Sequence, residues 1–282
     1  MNYLMLLMII VFCAAQSPVT KFYNQKTGNK SAYIYGAMTS FIAMLFFACS
    51  SGKFEFNPAF LGYSVGFGAA YATATVCNVM ALACGSLALT ALVVSFSLMI
   101  PTLYGIWFLE EPTSVWLYLG IITLLISLFL IHFKKEEGQI TLKWIVLVIL
   151  AFIGNGMCST VQKMQQIAFD GAYKGEFMVV ALALVSLTML IFAMMHNKQD
   201  IAGCVKKGWY FAILYGILNG TVNLLVMVLG NRMSASLMFP MISAGGIVIN
   251  FFLSKYYFKE DLSRMQMLGL LVGIVSIVFF NL

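Results

Sequence analysis

Lys163 sits where a lysine is expensive. It lies inside an apolar run of a 282-residue chain, beside Met164 and close to Gln162, Gln165 and Gln166. A cation at bilayer depth normally faces a cavity or a partner. In a cavity, its ammonium would attract the carboxylate or phosphate of a solute. Close to a helix end, its stem would instead let the charge snorkel to the headgroups. Lys21 holds the matching place in an earlier run, nearer the end of its helix, and has the same two readings.

Asn78, Asn155, Asn219 and Asn223 are amides in the middle of apolar runs, and Gln16 is comparable in the first run. An amide in hydrocarbon needs hydrogen-bond partners. It either binds a solute or bridges helices, the latter contributing about 0.6–2 kcal/mol. Tyr71 and Thr75 share a helix face with Asn78, at spacings of i, i+4 and i+7, and that face is the preferred cavity wall. All ten acidic residues fall in loops or at the ends of runs. This disfavours exchange of a cationic drug for a proton on an intramembrane carboxylate.

No nucleophile–base pair, phosphate-cradling loop or metal-ligand spacing occurs, so no catalytic residue, cofactor or metal is expected and the chain does not read as an enzyme. Lack of a G-x-x-x-x-G-K-S/T motif excludes nucleotide-driven pumping by this chain alone. His132 and His196 stand at the ends of runs. The six cysteines (Cys13, Cys49, Cys77, Cys84, Cys158 and Cys204) show no C-x-x-C spacing and read as small apolar packers.

The elements that hold these residues follow from composition. The chain is 62% hydrophobic and 9% charged, against about 25% charged in a soluble domain. Runs of about 20 apolar residues recur, the length a helix needs to cross a hydrocarbon layer of about 30 Å. Ten spans are expected at 2–23, 31–51, 58–83, 86–109, 115–133, 144–169, 176–196, 208–230, 234–257 and 265–281. The fold class is all-α integral membrane. Trp116, Trp144 and Trp209 lie near span ends, where amphipathic rings favour the interface. Spans 3 and 4, joined only by Cys84, Gly85 and Ser86, are expected to form a tight antiparallel pair. Met1 opens directly into the first run without a basic n-region, so that run reads as a retained helix and not as a signal peptide. The net charge of +6 comes from lysines scattered in loops. It suits contact with anionic lipid and offers no nucleic-acid surface.

The spans repeat. Ser17, Pro18, Val19, Thr20 and Lys21 align with Ser159, Thr160, Val161, Gln162 and Lys163. Asn78 and Gly85 align with Asn223 and Gly230, and Glu111, Ser114, Gly120 and Ser127 with Glu260, Ser263, Gly269 and Ser276. Residues 1–138 and 139–282 thus read as two five-helix repeats. An odd number of spans per copy inverts the second relative to the first, the arrangement of secondary transporters with a site between the repeats. Pro18, Pro101 and Pro240 interrupt spans, as hinges or as static kinks. Gly62/Gly66, Gly216/Gly220 and Gly269/Gly273 mark close helix contacts.

These residues resemble the drug/metabolite transporter superfamily, in particular its ten-helix EamA-like branch. The resemblance rests on the 5+5 duplication and on the ends of the halves, Phe108 to Pro112 before Leu119-Gly120 and Tyr257 to Asp261 before Leu268-Gly269. It rests also on Asn219-Gly220, Asn223 and the run Leu237 to Pro240. Lys21 and Asn24 are loosely similar to the sugar-phosphate and nucleotide-sugar branches. The resemblance implies a central cavity lined by spans 1, 3, 4, 6, 8 and 9, alternating access, and structural roles for the glutamates of the 4–5 and 9–10 turns.

The expected activity is secondary transport of a small polar metabolite, an anion included, with a channel or lipid scramblase as the alternative. Lys163, Lys21, Gln16, Tyr71, Thr75, Asn78, Asn155, Asn219 and Asn223 are the candidate substrate-binding residues. The expected setting is a multi-pass protein of the cell membrane, monomer or homodimer. Lysines and arginine crowd loops 1–2, 5–6, 7–8 and 9–10, which the positive-inside rule places in the cytoplasm with both termini outside. The family resemblance implies both termini inside.

Overall fold

Long apolar stretches punctuated by polar turns fold here into helices and, among the described residues, no strands. The computed structural model describes residues 2–27, 32–50, 55, 57–84, 90, 93–132, 141–196, 198–257 and 263–282. Their ten α-helices are α1 (Asn2–Thr27), α2 (Ala32–Ser50), α3 (Leu61–Cys84), α4 (Met99–Phe108), α5 (Val115–His132), α6 (Leu142–Ala168), α7 (Lys174–His196), α8 (Ile201–Gly230), α9 (Ala235–Phe252) and α10 (Arg264–Phe280). A 3-10 turn at Phe96–Leu98 leads into α4, and a π-helical turn at Leu253–Tyr257 extends α9. Among the described residues, six helices are long and apolar enough to cross a membrane: α1, α2, α6, α7, α8, and α9 with its π turn. The segments Val93–Phe108, Val115–Ile131 and Arg264–Phe280 are shorter apolar helices. Gly85, Glu260 and most of the loop turns named above lie outside the described residues.

The surface is that of a protein solvated by lipid. Ile122, Ile126 and Phe129 of α5 and Leu271, Ile274 and Val278 of α10 are all exposed. The largest buried cluster joins α1, α5, α8 and α9 around Leu6, Ile9, Leu124, Leu229 and Met238. A second joins α2, α3, α6 and α7 around Phe47, Phe67, Cys158 and Phe177.

Most helix pairs are related by a shift of five places. The principal pairs are α3–α6, α5–α10, α2–α7, α1–α8, α2–α8, α3–α7, α4–α9, α9–α10, α1–α9 and α4–α6. Exchange each helix for the one five places away, and α1–α8 becomes α6–α3, α2–α8 becomes α7–α3, and α1–α9 becomes α6–α4. The pairs α2–α7, α4–α9 and α5–α10 map onto themselves, whereas α9–α10 has no α4–α5 counterpart among the principal pairs of the described residues. The expected tight pairing of spans 3 and 4 does not dominate among the described residues. A short connection limits how far two helices separate, but side-chain fit selects their partners, and α3 packs on α6 and α7.

Small residues set the closest approaches. A Cβ on Gly154 would lie 2.7 Å from the Ala70 carbonyl oxygen, so α6 meets the α3 backbone there. Gly216 and Gly220 receive Ile42 and Phe46 of α2, and Gly269 and Gly273 receive Ser127 and Ile131 of α5. Gly62 has nothing within 4 Å, and Gly66 has only Val161 at 4.0 Å, so the first small-residue motif is not a close contact in the bundle.

Two boundary expectations change. Helix α8 starts at Ile201 instead of 208, because Lys206 and Lys207 end the apolar run without ending the helix. Trp144 is 6% exposed instead of interfacial. Its indole N–H donates to Thr90 Oγ1 at 3.0 Å, a buried partner that removes the reason to seek the headgroups. Trp116 is exposed at the start of α5, as expected, and Trp209 is exposed about two turns inside α8.

Candidate functional site

Two polar assemblies occupy the bundle, a tie near one end and a cavity toward the other. The tie begins in the α4–α5 turn. Glu110 adopts a left-handed backbone, φ 50°, sparsely populated by residues other than glycine. The turn directs the Glu111 carboxylate at the start of α9, where Oε1 accepts the Ala235 N–H and Oε2 the Ser236 N–H, each at 2.8 Å. Ser234, the residue before α9, makes no side-chain cap. A carboxylate 124 residues away thus satisfies the orphan donors of that helix and meets the positive end of its dipole.

Lys163 completes the tie. Its Nζ donates to the carbonyl oxygens of Gly230 at 2.7 Å and Met233 at 3.1 Å, and lies 3.4 Å from Glu111 Oε1. Its side chain is 7% exposed and that of Glu111 10%. Burial alone would raise the Glu111 carboxyl. The Ser236 and Ala235 amides, the Ser236 hydroxyl and the Lys163 charge outweigh it and hold the group below the usual carboxylate range. From the neighbouring residue of α6, Gln162 Nε2 donates to Asn223 Oδ1 at 2.7 Å. The Asn223 amide in turn donates to the Asn219 carbonyl oxygen at 2.8 Å and to its Oδ1 at 3.0 Å. These residues form a polar seam between α6 and α8 that ends at the α4–α5 and α8–α9 turns. The small void bordered by Gln162, Lys163, Gln166 and Gly230 has no room for a water molecule.

The cavity has a volume of about 500 Å³. Its polar lining is Ser95, Ser97, Asn155, Ser243, Asn250 and Gln266. Asn155 Nδ2 donates to Ser97 Oγ at 2.6 Å, linking α6 to the turn before α4. Ser243, Gly246 and Asn250 line it from one face of α9, at spacings of i, i+3 and i+7. Leu128 and Ile131 of α5 form part of an apolar wall, and Cys13 of α1 adds a half-buried thiol. The cavity runs from the middle of α1 and α6 to the last turn of α5 and the first turn of α10.

The expected binding residues therefore separate. Asn155 lines the cavity. Lys163, Asn219 and Asn223 belong to the tie and its seam. Tyr71, Thr75 and Asn78 are half-buried on α3, and Tyr71 stands 5.8 Å, ring to ring, from Phe67 of the same helix. Lys21 and Gln16 are half-buried on α1. The cavity involves α1, α6, α9 and, from the expected fourth span, the segment before α4, as the family resemblance implies, but α5 and α10 replace α3 and α8 in its lining. The α8 amides are taken up by each other and, through Asn223, by Gln162 of α6. The sequence reading missed Ser95, Ser97, Ser243, Asn250 and Gln266. The signal that could have found three cavity positions is the small and polar face Ser243, Gly246 and Asn250 on an otherwise apolar helix.

Comparison with known proteins accords with this architecture. A solved crystal structure, 13% identical in sequence, superposes with a TM-score of 0.81, covering all of this chain and 98% of its own. That likeness concerns the fold. A Haemophilus influenzae protein described as uncharacterized is 24% identical over 186 residues, 64% of this chain. The match spans 62% of that relative's length. Residues 140–282 match the model of the EamA-like transporter family. The chain is a multi-pass membrane protein of the drug/metabolite transporter superfamily and belongs to the EamA-like transporter family.

Proposed function

We propose that the chain is a secondary carrier of the cell membrane that moves a small polar metabolite by alternating access between two inverted five-helix repeats, residues 1–138 and 139–282. The observation that carries this reading is the cavity's position. It draws on α1, α5 and the segment leading into α4 from the first half, and on α6, α9 and α10 from the second. Inverted-repeat transporters hold their substrate at such an interface.

Further support comes from matched parts. Ser114 caps α5 by accepting the Leu117 N–H at 3.1 Å, and its sequence counterpart Ser263 caps α10 by accepting the Gln266 N–H at 3.2 Å. The tie of Lys163 and Glu111 closes the end of the bundle opposite the cavity, which favours a carrier over an open channel. Asn155 is the expected binding residue best placed to meet the solute. Because the Lys163 ammonium already has three oxygen partners, we assign it to the closed end. The test is trans-stimulated uptake in proteoliposomes. Vesicles preloaded with a transported solute should take up labelled solute faster than empty ones; uptake indifferent to preloading sinks the carrier reading.

A further inference from the structure

The cavity's lining is more selective than its position. Its hydrogen-bonding groups are hydroxyls and carboxamides, contributed by the segment leading into α4, by α6, by α9 and by the start of α10. Against them stand Leu128 and Ile131, with Ile247 and Phe251 of α9. Among the described lining residues there is no Asp, Glu, Lys, Arg or His. The buried lysine of the bundle, Lys163, is held at the opposite end by Gly230, Met233 and Glu111.

Hydroxyls and amides compensate the lost hydration of a polar group. They do not compensate a net charge, which on leaving water needs an opposite charge or a dense set of oriented donors. A volume of about 500 Å³ falls in the range of pockets that enclose a drug-sized molecule. Resting on the carrier reading, we propose that this cavity selects an uncharged amphipathic solute, whose hydrogen-bonding edge meets Ser97, Asn155, Ser243 and Asn250 and whose apolar body lies on α5. Among the described lining residues a carboxylate, a phosphate or an ammonium group would meet no counter-charge.

Gly246 provides the control. A Cβ added there meets nothing within 4 Å, and Gly246 lines the cavity, so Gly246→Leu places apolar bulk in it. Ser243→Leu on the same face is a second filling variant. The experiment is a thermal-shift comparison on purified full-length protein with probes matched in body and differing in charge. The probes are uridine against uridine monophosphate, N-acetylleucinamide against N-acetylleucine, leucinamide and leucine, and methyl glucoside against glucose 6-phosphate. The proposal expects stabilisation concentrated among the uncharged members and reduced at least tenfold in apparent affinity by either filling variant. Stabilisation by charged members, no stabilisation in any class, or shifts that survive both variants overturns it. Counterflow of a stabilising probe separates the two readings. A probe that binds in this pattern but does not exchange defeats the carrier and leaves the charge selection standing.

Discussion

Lys163 Nζ and Glu111 Oε1 lie 3.4 Å apart, both largely out of solvent, and between them they fasten α6, the end of α8 and the start of α9 to the α4–α5 turn. An intramembrane lysine is ordinarily read as a substrate contact. Here its neighbours are the carbonyls and the carboxylate of two chain turns, and it serves the bundle.

The two partners should respond unequally to replacement. Glu111→Ala leaves the Lys163 charge buried and two N-terminal N–H groups of α9 unmet, and should destabilise by about 3–5 kcal/mol. Lys163→Met leaves Glu111 with both amide donors and should cost less. Thermal unfolding of the purified variants checks the order; equal losses would contradict the capping role of Glu111.

The same carboxylate predicts an acid response. Its folded pKa is depressed, so its stabilising contribution is full above the unfolded value, about 4.3 for glutamate, and is lost as pH falls through the folded value. Unfolding temperature should fall more steeply below about pH 4 in the wild type than in Glu111→Gln. Parallel acid profiles would show that another group governs the response.

Glycine substitutions should sort by what a Cβ would meet. Gly154→Ala places a methyl group 2.7 Å from the Ala70 carbonyl oxygen and 2.9 Å from the Ala74 nitrogen. Forcing α6 away from α3 should cost about 1–3 kcal/mol. Gly246→Ala meets open space and should leave stability within about 0.5 kcal/mol. Unfolding midpoints of the pair check this; a destabilised Gly246→Ala would place packed atoms where the cavity is drawn.

The helices themselves were legible in the sequence, because 20 apolar residues in a row leave few alternatives. Their ends were less so, since lysines such as Lys206 and Lys207 leave the membrane without leaving the helix. Glu111 was legible as a structural residue through its family likeness, and Asn155 through its place in mid-span. What Lys163, Asn219 and Asn223 pair with was not legible. Hydropathy places a polar group at a depth but does not choose its partner, and a carbonyl such as that of Gly230 has no sequence signature. The serines of the cavity were hidden for a related reason. A serine hydroxyl in a helix commonly bonds its own backbone, as Ser276 does to the Gly273 carbonyl oxygen at 2.7 Å, so residue type does not show which serine faces open space.

Sidedness is open to a direct measurement. Loop charge predicts that the turn before α8 faces the cytoplasm. Lys207→Cys, at an exposed position, should then resist a membrane-impermeant maleimide in intact cells and react after permeabilisation. Labelling in intact cells would place both termini inside, as the family resemblance implies.

The central claim is that solute crosses through the cavity between the two halves, one end closed while the other admits it. Solute counterflow in proteoliposomes, run side by side on the wild type and Gly246→Leu, tests it most directly. The account predicts trans-stimulated uptake of at least one solute by the wild type and at least a tenfold loss in the variant, with the variant's unfolding temperature little changed. Uptake that ignores preloading, or that proceeds undiminished through a filled cavity, would contradict it.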